Sequence, residues 1–255
     1  MSPYEHPLSL ALRLAIATTV LAFVVATRRA LVHAAAENER SKVASATRLA
    51  ALPLLVSLVF SHVESMRAVL TNLAIPGVPL SMMLFVGGSF AHGPTRRAFA
   101  ALDDGAMRGL LGYRAMFGAF LFAMAAVGHV PQTFAFTAGL GDLAVGWLAG
   151  LVPARLGARG SRLATAFVHG VGALDLLQVM VLAATVVVPW SKSHDYAMTT
   201  LSLPWVAVPL MMAVNLHGLR LALGRSKTRE NQASEEPRGA RPEPARHVRG
   251  ALRGA

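Results

Sequence analysis

The chain has 255 residues, 54% of them hydrophobic and only 15% charged, and a mean hydropathy of +0.50. Soluble domains average about 45–50% apolar and about 25% charged residues, and no soluble fold could cover this much apolar surface, whereas a bilayer can. Cysteine is absent, which excludes disulfides, thiolate metal sites and cysteine nucleophiles. The net charge of +11 would suggest nucleic acid in a soluble protein. Here the basic residues fall at the ends of apolar blocks rather than along one face, so no nucleic-acid partner is expected. Arginine outnumbers lysine 21 to 3, a codon signature of a GC-rich bacterial genome.

A spanning helix needs roughly 20 mostly apolar residues. The first such run covers 8–27. Residues 1–7 carry no Lys or Arg, unlike a signal peptide, and Arg28 and Arg29 follow the run, which predicts a retained helix running from outside to inside. A second run, 43–63, requires Arg48 to snorkel to the interface. The third, 74–92, contains Pro76, Gly77 and Pro79, so its helix starts late or is kinked. Four clearer runs follow at 110–130, 134–152, 163–188 and 201–223.

Lys and Arg between and at the edges of these runs alternate, with 21 on one side of the bilayer and 2 on the other, and only Arg13, inside the first span, is left over. Positive residues mark the cytoplasmic face. The expectation is an all-α integral membrane bundle of about seven transmembrane helices in a bacterial cytoplasmic (inner) membrane, N-terminus outside and C-terminus inside. Residues 1–223 form this domain. Residues 224–255, rich in Arg, Glu, Pro and Gly, read as a disordered basic tail. Anionic lipid head groups are a partner for such a tail, although Glu230, Glu235, Glu236 and Glu243 dilute its charge.

Two of the five aspartates, Asp142 and Asp175, sit near the centres of predicted spans. A carboxylate there costs roughly 2.5–3.5 kcal/mol on insertion scales, so both should face the bundle interior or a wet cavity. Lying at similar depth on consecutive antiparallel helices, they are placed to approach each other. Gly139, Gly141, Gly146 and Gly150 surround Asp142, and Gly172 precedes Asp175, all of them small residues that let a neighbouring helix come close. Gln178, Asn215 and His217 add polar groups to the same helices. One reading is a proton or small-solute site between the fifth, sixth and seventh helices; the other is a pair of carboxyls that only fix helix packing.

His169 and His217 share a depth and offer a haem or metal pair, the one cofactor the sequence raises and not one it predicts. His62 and His129 read as solvated groups near the outer surface. Lys42, Lys192 and Lys227 all lie outside the spans, which removes a retinal-type Schiff base, and there is no Walker A loop or HExxH. Gly87-Gly88-Ser89-Phe90 resembles the serine motif of intramembrane serine proteases, with His169 as the conceivable base, but the second half of that signature is missing. No catalytic residue is assigned.

The stretch 95–223 also resembles a group of uncharacterised bacterial multi-pass inner-membrane proteins. The likeness lies in Arg114-x3-Gly118, in Gly128-His129-Val130-Pro131, in Ala138-Gly139-Leu140-Gly141-Asp142, in Leu174-Asp175-Leu176-Leu177, and in a last helix with Pro204, Pro209 and His217. The group tends to carry Trp-Asn where this chain has Val168-His169. The resemblance implies a polytopic fold and marks the two aspartates, and it carries no activity.

Overall fold

A computed structural model of the protein describes residues 7–49, 52–53, 56, 77–151, 158–193 and 203–235. Every regular element among them is helical. The helices are α1 (Pro7–Ala34), α2 (Arg40–Leu49), α3 (Gly77–Ala91), α4 (Gly93–Ala101), α5 (Asp104–Leu111), α6 (Tyr113–Ala126), α7 (Gln132–Leu151), α8 (Ala158–Leu182), α9 (Val188–Ser193) and α10 (Val208–Glu235). Three wide π-helical turns interrupt this pattern: Met83–Gly87 inside α3, Ala183–Val187 between α8 and α9, and Leu203–Ala207 leading into α10.

Five described stretches are long and apolar enough to cross a membrane: Leu10–Ala34, Asp104–Ala126, Gln132–Leu151, Leu163–Trp190 and Leu203–Gly224. Gly77–Ala91 is apolar but shorter, and the residues just before it lie outside the described residues. Most of the expected second span, 43–63, lies outside the described residues. The chain is therefore a helical membrane protein by the length and composition of its helices. Its outer surface agrees, since Trp147, Leu163 and Leu174 are 68%, 73% and 68% exposed, a disposition that lipid tolerates and water does not.

α6 and α7 pack as the closest helix pair, α8 lies against both α7 and α10, and α1 covers α6 and α4. Phe23 of α1 anchors that cover, fully buried against Tyr113 and Phe117 at ring-centroid distances of 5.3 and 6.0 Å. Glycines close the α6–α7 seam. A methyl at Gly118 would meet the carbonyl oxygen of Gly139 at 2.5 Å, and one at Gly146 would meet the backbone nitrogen of Ala115 at 2.6 Å. Gly150 behaves differently: it is exposed with open space around it, so it is not a packing residue. The buried stripe of α7 runs through Asp142, Val145, Gly146 and Ala149, and one further residue turns out of it.

The turn between α6 and α7 is set by Gly128, whose φ of +74° lies in the left-handed region that a side chain disfavours. The amide of His129 donates back to Met124 O (2.7 Å) and that of Gly128 to Ala125 O (3.0 Å), the paired bonds that close a helix at such a glycine. This turn buries His129, which is 3% exposed and not the solvated group expected from its position. Burial, reinforced by the nearby charge of Arg13, holds its imidazole below the ordinary value of 6.5. The folded chain then binds a proton here less readily than the unfolded chain. Stability should be level above about pH 6.5 and fall as the pH drops below it. Melting temperatures of purified protein between pH 8 and pH 5 should show this decline, and His129→Gln should flatten it.

At one end of the bundle, Arg97 of α4 grips the carboxylate of Glu39, ahead of α2, with Nε at 3.1 Å and a second contact through Nη2. The guanidinium holds Glu39 below the usual carboxylate range, although so exposed a pair weakens in salt. α5 starts on a cap from Asp103, whose Oδ1 accepts the amide of Ala106 at 2.7 Å. α10 continues past the expected end at 223 to Glu235, because Gly224 alone does not break it and the Arg-, Lys- and Glu-containing sequence beyond has good helix propensity. The start of the presumed disordered tail is thus helical, and 236–255 lie outside the described residues.

Candidate functional site: an arginine between two carboxylates

Arg114 stands in the first turn of α6, and its side chain is completely buried. Its Nε donates to Oδ1 of Asp142 on α7 at 2.7 Å, Nη1 donates to the Gly172 carbonyl on α8 at 2.8 Å, and Nη2 donates to Oδ2 of Asp175 on α8. The planar fork of a guanidinium suits this, since it carries several donors in fixed directions. Asp142 and Asp175 therefore do not meet directly. They meet through Arg114, and that residue ties three helices together.

Two glycines make the arrangement possible. A methyl at Gly141 would collide with the Asp175 carboxyl, and one at Gly172 would lie 2.5 Å from Asn215 Oδ1 and 3.0 Å from Arg114 Nη1. Asn215, fully buried on α10, thus borders the same cluster; its Nδ2 donates to Met211 O at 3.0 Å. His169 follows on α8, also fully buried, beside Asn215 and with its ring against Gly218. Neither ring nitrogen of His169, nor Oδ1 of Asn215, has a hydrogen-bond partner among the described residues.

The other expected polar neighbours go elsewhere. Gln178 is exposed, because the buried stripe of α8 runs through Gly172, Leu176 and Val179 and leaves Gln178 on the lipid side. His217 lies two residues from Asn215, about 200° around the helix, so it faces the opposite way. Its ring is stacked between Phe90 and Phe99 at centroid distances of 4.0 and 4.1 Å, and Nε2 lies 3.0 Å from Ser89 Oγ. His169 and His217 consequently have different neighbours, and the geometry does not offer them as an axial haem pair.

The serine of the protease-like motif also pairs with His217 and not with His169. Ser89 Oγ lies within hydrogen-bond reach of both Val86 O (2.8 Å) and His217 Nε2 (3.0 Å), and which of the two contacts takes its proton follows the tautomer of the histidine. The contact latches α3 to α10. Among the described residues no group of three or more His, Asp or Glu side chains is placed to hold a metal ion.

A cavity of about 650 Å³ adjoins the ionic cluster, bounded by α3, α6, α7, α8 and α10. Every described side chain that lines it is apolar except Asp142. Two of the three π-helical turns contribute to its wall, through Ala183 and Leu203, and the third begins next to the lining residue Met82. Such turns occur disproportionately at functional sites.

Arg114 is the residue that sequence reasoning missed. By hydropathy it falls among the cations at the ends of the apolar runs. The available signal was the pair of intramembrane carboxylates, which require a cation, together with the Arg114-x3-Gly118 spacing that puts a packing glycine one turn further along the same face.

Residues 104–223 match a protein family described as a domain of unknown function (DUF8737). The matched stretch holds Arg114, Asp142, His169, Asp175 and Asn215, and so the entire ionic cluster with its polar continuation. No curated protein and no solved structure is detectably similar to the chain.

Proposed function

We propose that this protein moves protons or a small solute across its membrane, with the Arg114–Asp142–Asp175 cluster as the working site. The observation that carries the reading is a charge imbalance: one guanidinium faces two carboxyls in a buried position, and one of those carboxyls lines a cavity. In low dielectric such a cluster is balanced only when one further proton or cation joins it. A site that must take up and release a positive charge suits translocation. Asn215 and His169 support the reading, since they carry a line of buried polar groups from the cluster towards the first turns of α8.

The surrounding frame in this proposal is seven spans in a bacterial cytoplasmic membrane, N-terminus outside, with a basic tail close to anionic head groups, as in the multi-pass group that the sequence resembles. The Glu39–Arg97 contact supports it by joining two cation-rich segments at one end of the bundle. The native chain has no cysteine, so single cysteines can be read cleanly. In intact cells an impermeant thiol reagent should label Ser193→Cys and not Gly157→Cys. The reverse pattern would invert the frame.

A specific observation favours a second reading. All three kinds of guanidinium nitrogen in Arg114 are bonded, to two different helices, which is also what a static helix staple would look like. Proteoliposomes separate the two. Under the translocation reading, Asp142→Asn with Asp175→Asn abolishes pH-driven proton flux or solute uptake while the protein still inserts. If wild type and the double variant are equally inert, the staple reading stands.

A further inference from the structure

We infer that the cavity beside Asp142 binds a monovalent organic cation with an apolar body, in exchange for a proton. The inference rests on the translocation reading of the same cluster and names its substrate class. A cavity of about 650 Å³ falls within the range of about 300–1,000 Å³ typical of sites for drug-sized molecules. Apart from Asp142 its described wall residues, such as Phe117, Leu121, Met124, Leu176 and Val187, offer dispersion contacts and no side-chain hydrogen bonds, so a strongly hydrated solute such as a sugar or an amino acid would lose more than it gained there.

Among the described residues the one polar group at the wall is a carboxyl, which selects the sign of the ligand. Arg114 uses Oδ1 of Asp142 and no described residue donates a hydrogen bond to Oδ2. An anion would meet an acceptor and be repelled. A dication would overshoot, because two carboxylates less one guanidinium leave a single negative charge. A monocation with aromatic or aliphatic substituents neutralises that charge and fills the walls. Since a proton neutralises the same charge, cation and proton compete for one site, and loading the cation releases the proton. The balance is simple: one carboxylic acid O–H gives up its proton to water, and the carboxylate pairs with the organic cation.

The test is equilibrium binding of radiolabelled tetraphenylphosphonium to the full chain in lipid nanodiscs, with neutral triphenylphosphine as the control body. Saturable binding of one cation per chain is expected, weakening as the pH is lowered, with the neutral probe at least about tenfold weaker. Asp142→Asn should weaken the cation by about tenfold or more. Ala183→Phe, which fills the wall without touching the ions, should abolish binding even if Asp142→Asn fails to fold. Equal binding of the neutral probe, or pH-independent binding, would overturn the inference, leaving a merely greasy cavity. Absence of saturable binding would overturn it too, and Asp-dependent proton flux in the same preparation would then show that translocation survives without this substrate class. Specific binding without any Asp-dependent flux supports the site and sinks translocation instead.

Discussion

Arg114→Gln is expected to destabilise the folded protein by about 3–5 kcal/mol, the cost of removing one partner from a buried ion pair. The substitution leaves two carboxyls facing each other across the α6–α7–α8 junction, with Gly172 O losing its extra donor as well. Both acids would have to be protonated or hydrated for the helices to stay together. Thermal melts in detergent, or the yield of monodisperse protein, should report the loss. The matched control removes all charge at once: Arg114→Gln with Asp142→Asn and Asp175→Asn should recover much of the stability, because an uncharged cluster has no unpaired ion. If the triple variant is as unstable as the single one, the damage comes from lost shape and not from lost pairing.

The second large effect concerns the α6–α7 seam. Gly118→Ala places a methyl 2.5 Å from the Gly139 carbonyl and 3.0 Å from the Leu143 nitrogen, both backbone atoms that cannot rotate away. The helices must separate, and overpacking of this kind typically costs about 1–3 kcal/mol. It should also disturb function, because Arg114 lies one turn before Gly118 and Asp142 lies between Gly139 and Gly146 on the facing helix. Gly150→Ala, at a position with open space, should be neutral or slightly stabilising through helix propensity. Parallel melting curves of the two variants test whether the glycines of α6 and α7 are alike, as small-residue spacing alone would suggest, or are sorted by which face they occupy.

The parts of this architecture that hydropathy encodes were legible. Long apolar runs have few alternatives to spanning helices, and a carboxylate in the middle of one cannot be a loop residue, so Asp142 and Asp175 declared themselves. Facing direction was harder. Gly150 stands four residues from buried Gly146 and Gln178 three from Asp175, yet both turn outward because a 3.6-residue period drifts off any single spacing. His217 and Asn215 were grouped by depth, while depth carries no information about azimuth, and a two-residue offset puts them on opposite sides of α10. Arg114 was illegible for another reason. A cation at the edge of an apolar run has the same hydropathy signature whether it reaches solvent or reaches inward, and only its partners on α7 and α8 distinguish the cases.

The wide turns, two of them in the cavity wall and one next to it, have a mechanical implication. Each holds one more residue than an α-helical turn would, and such an insertion can travel along a helix by exchanging one carbonyl partner for the next, without breaking the rod. As it passes, the side chains it leaves behind rotate by roughly 100°. α3, the segment from α8 to α9, and the entry to α10 could then swap the residues presented to a guest while their ends stay anchored in lipid. A container walled in this way can change its mouth without opening a hinge.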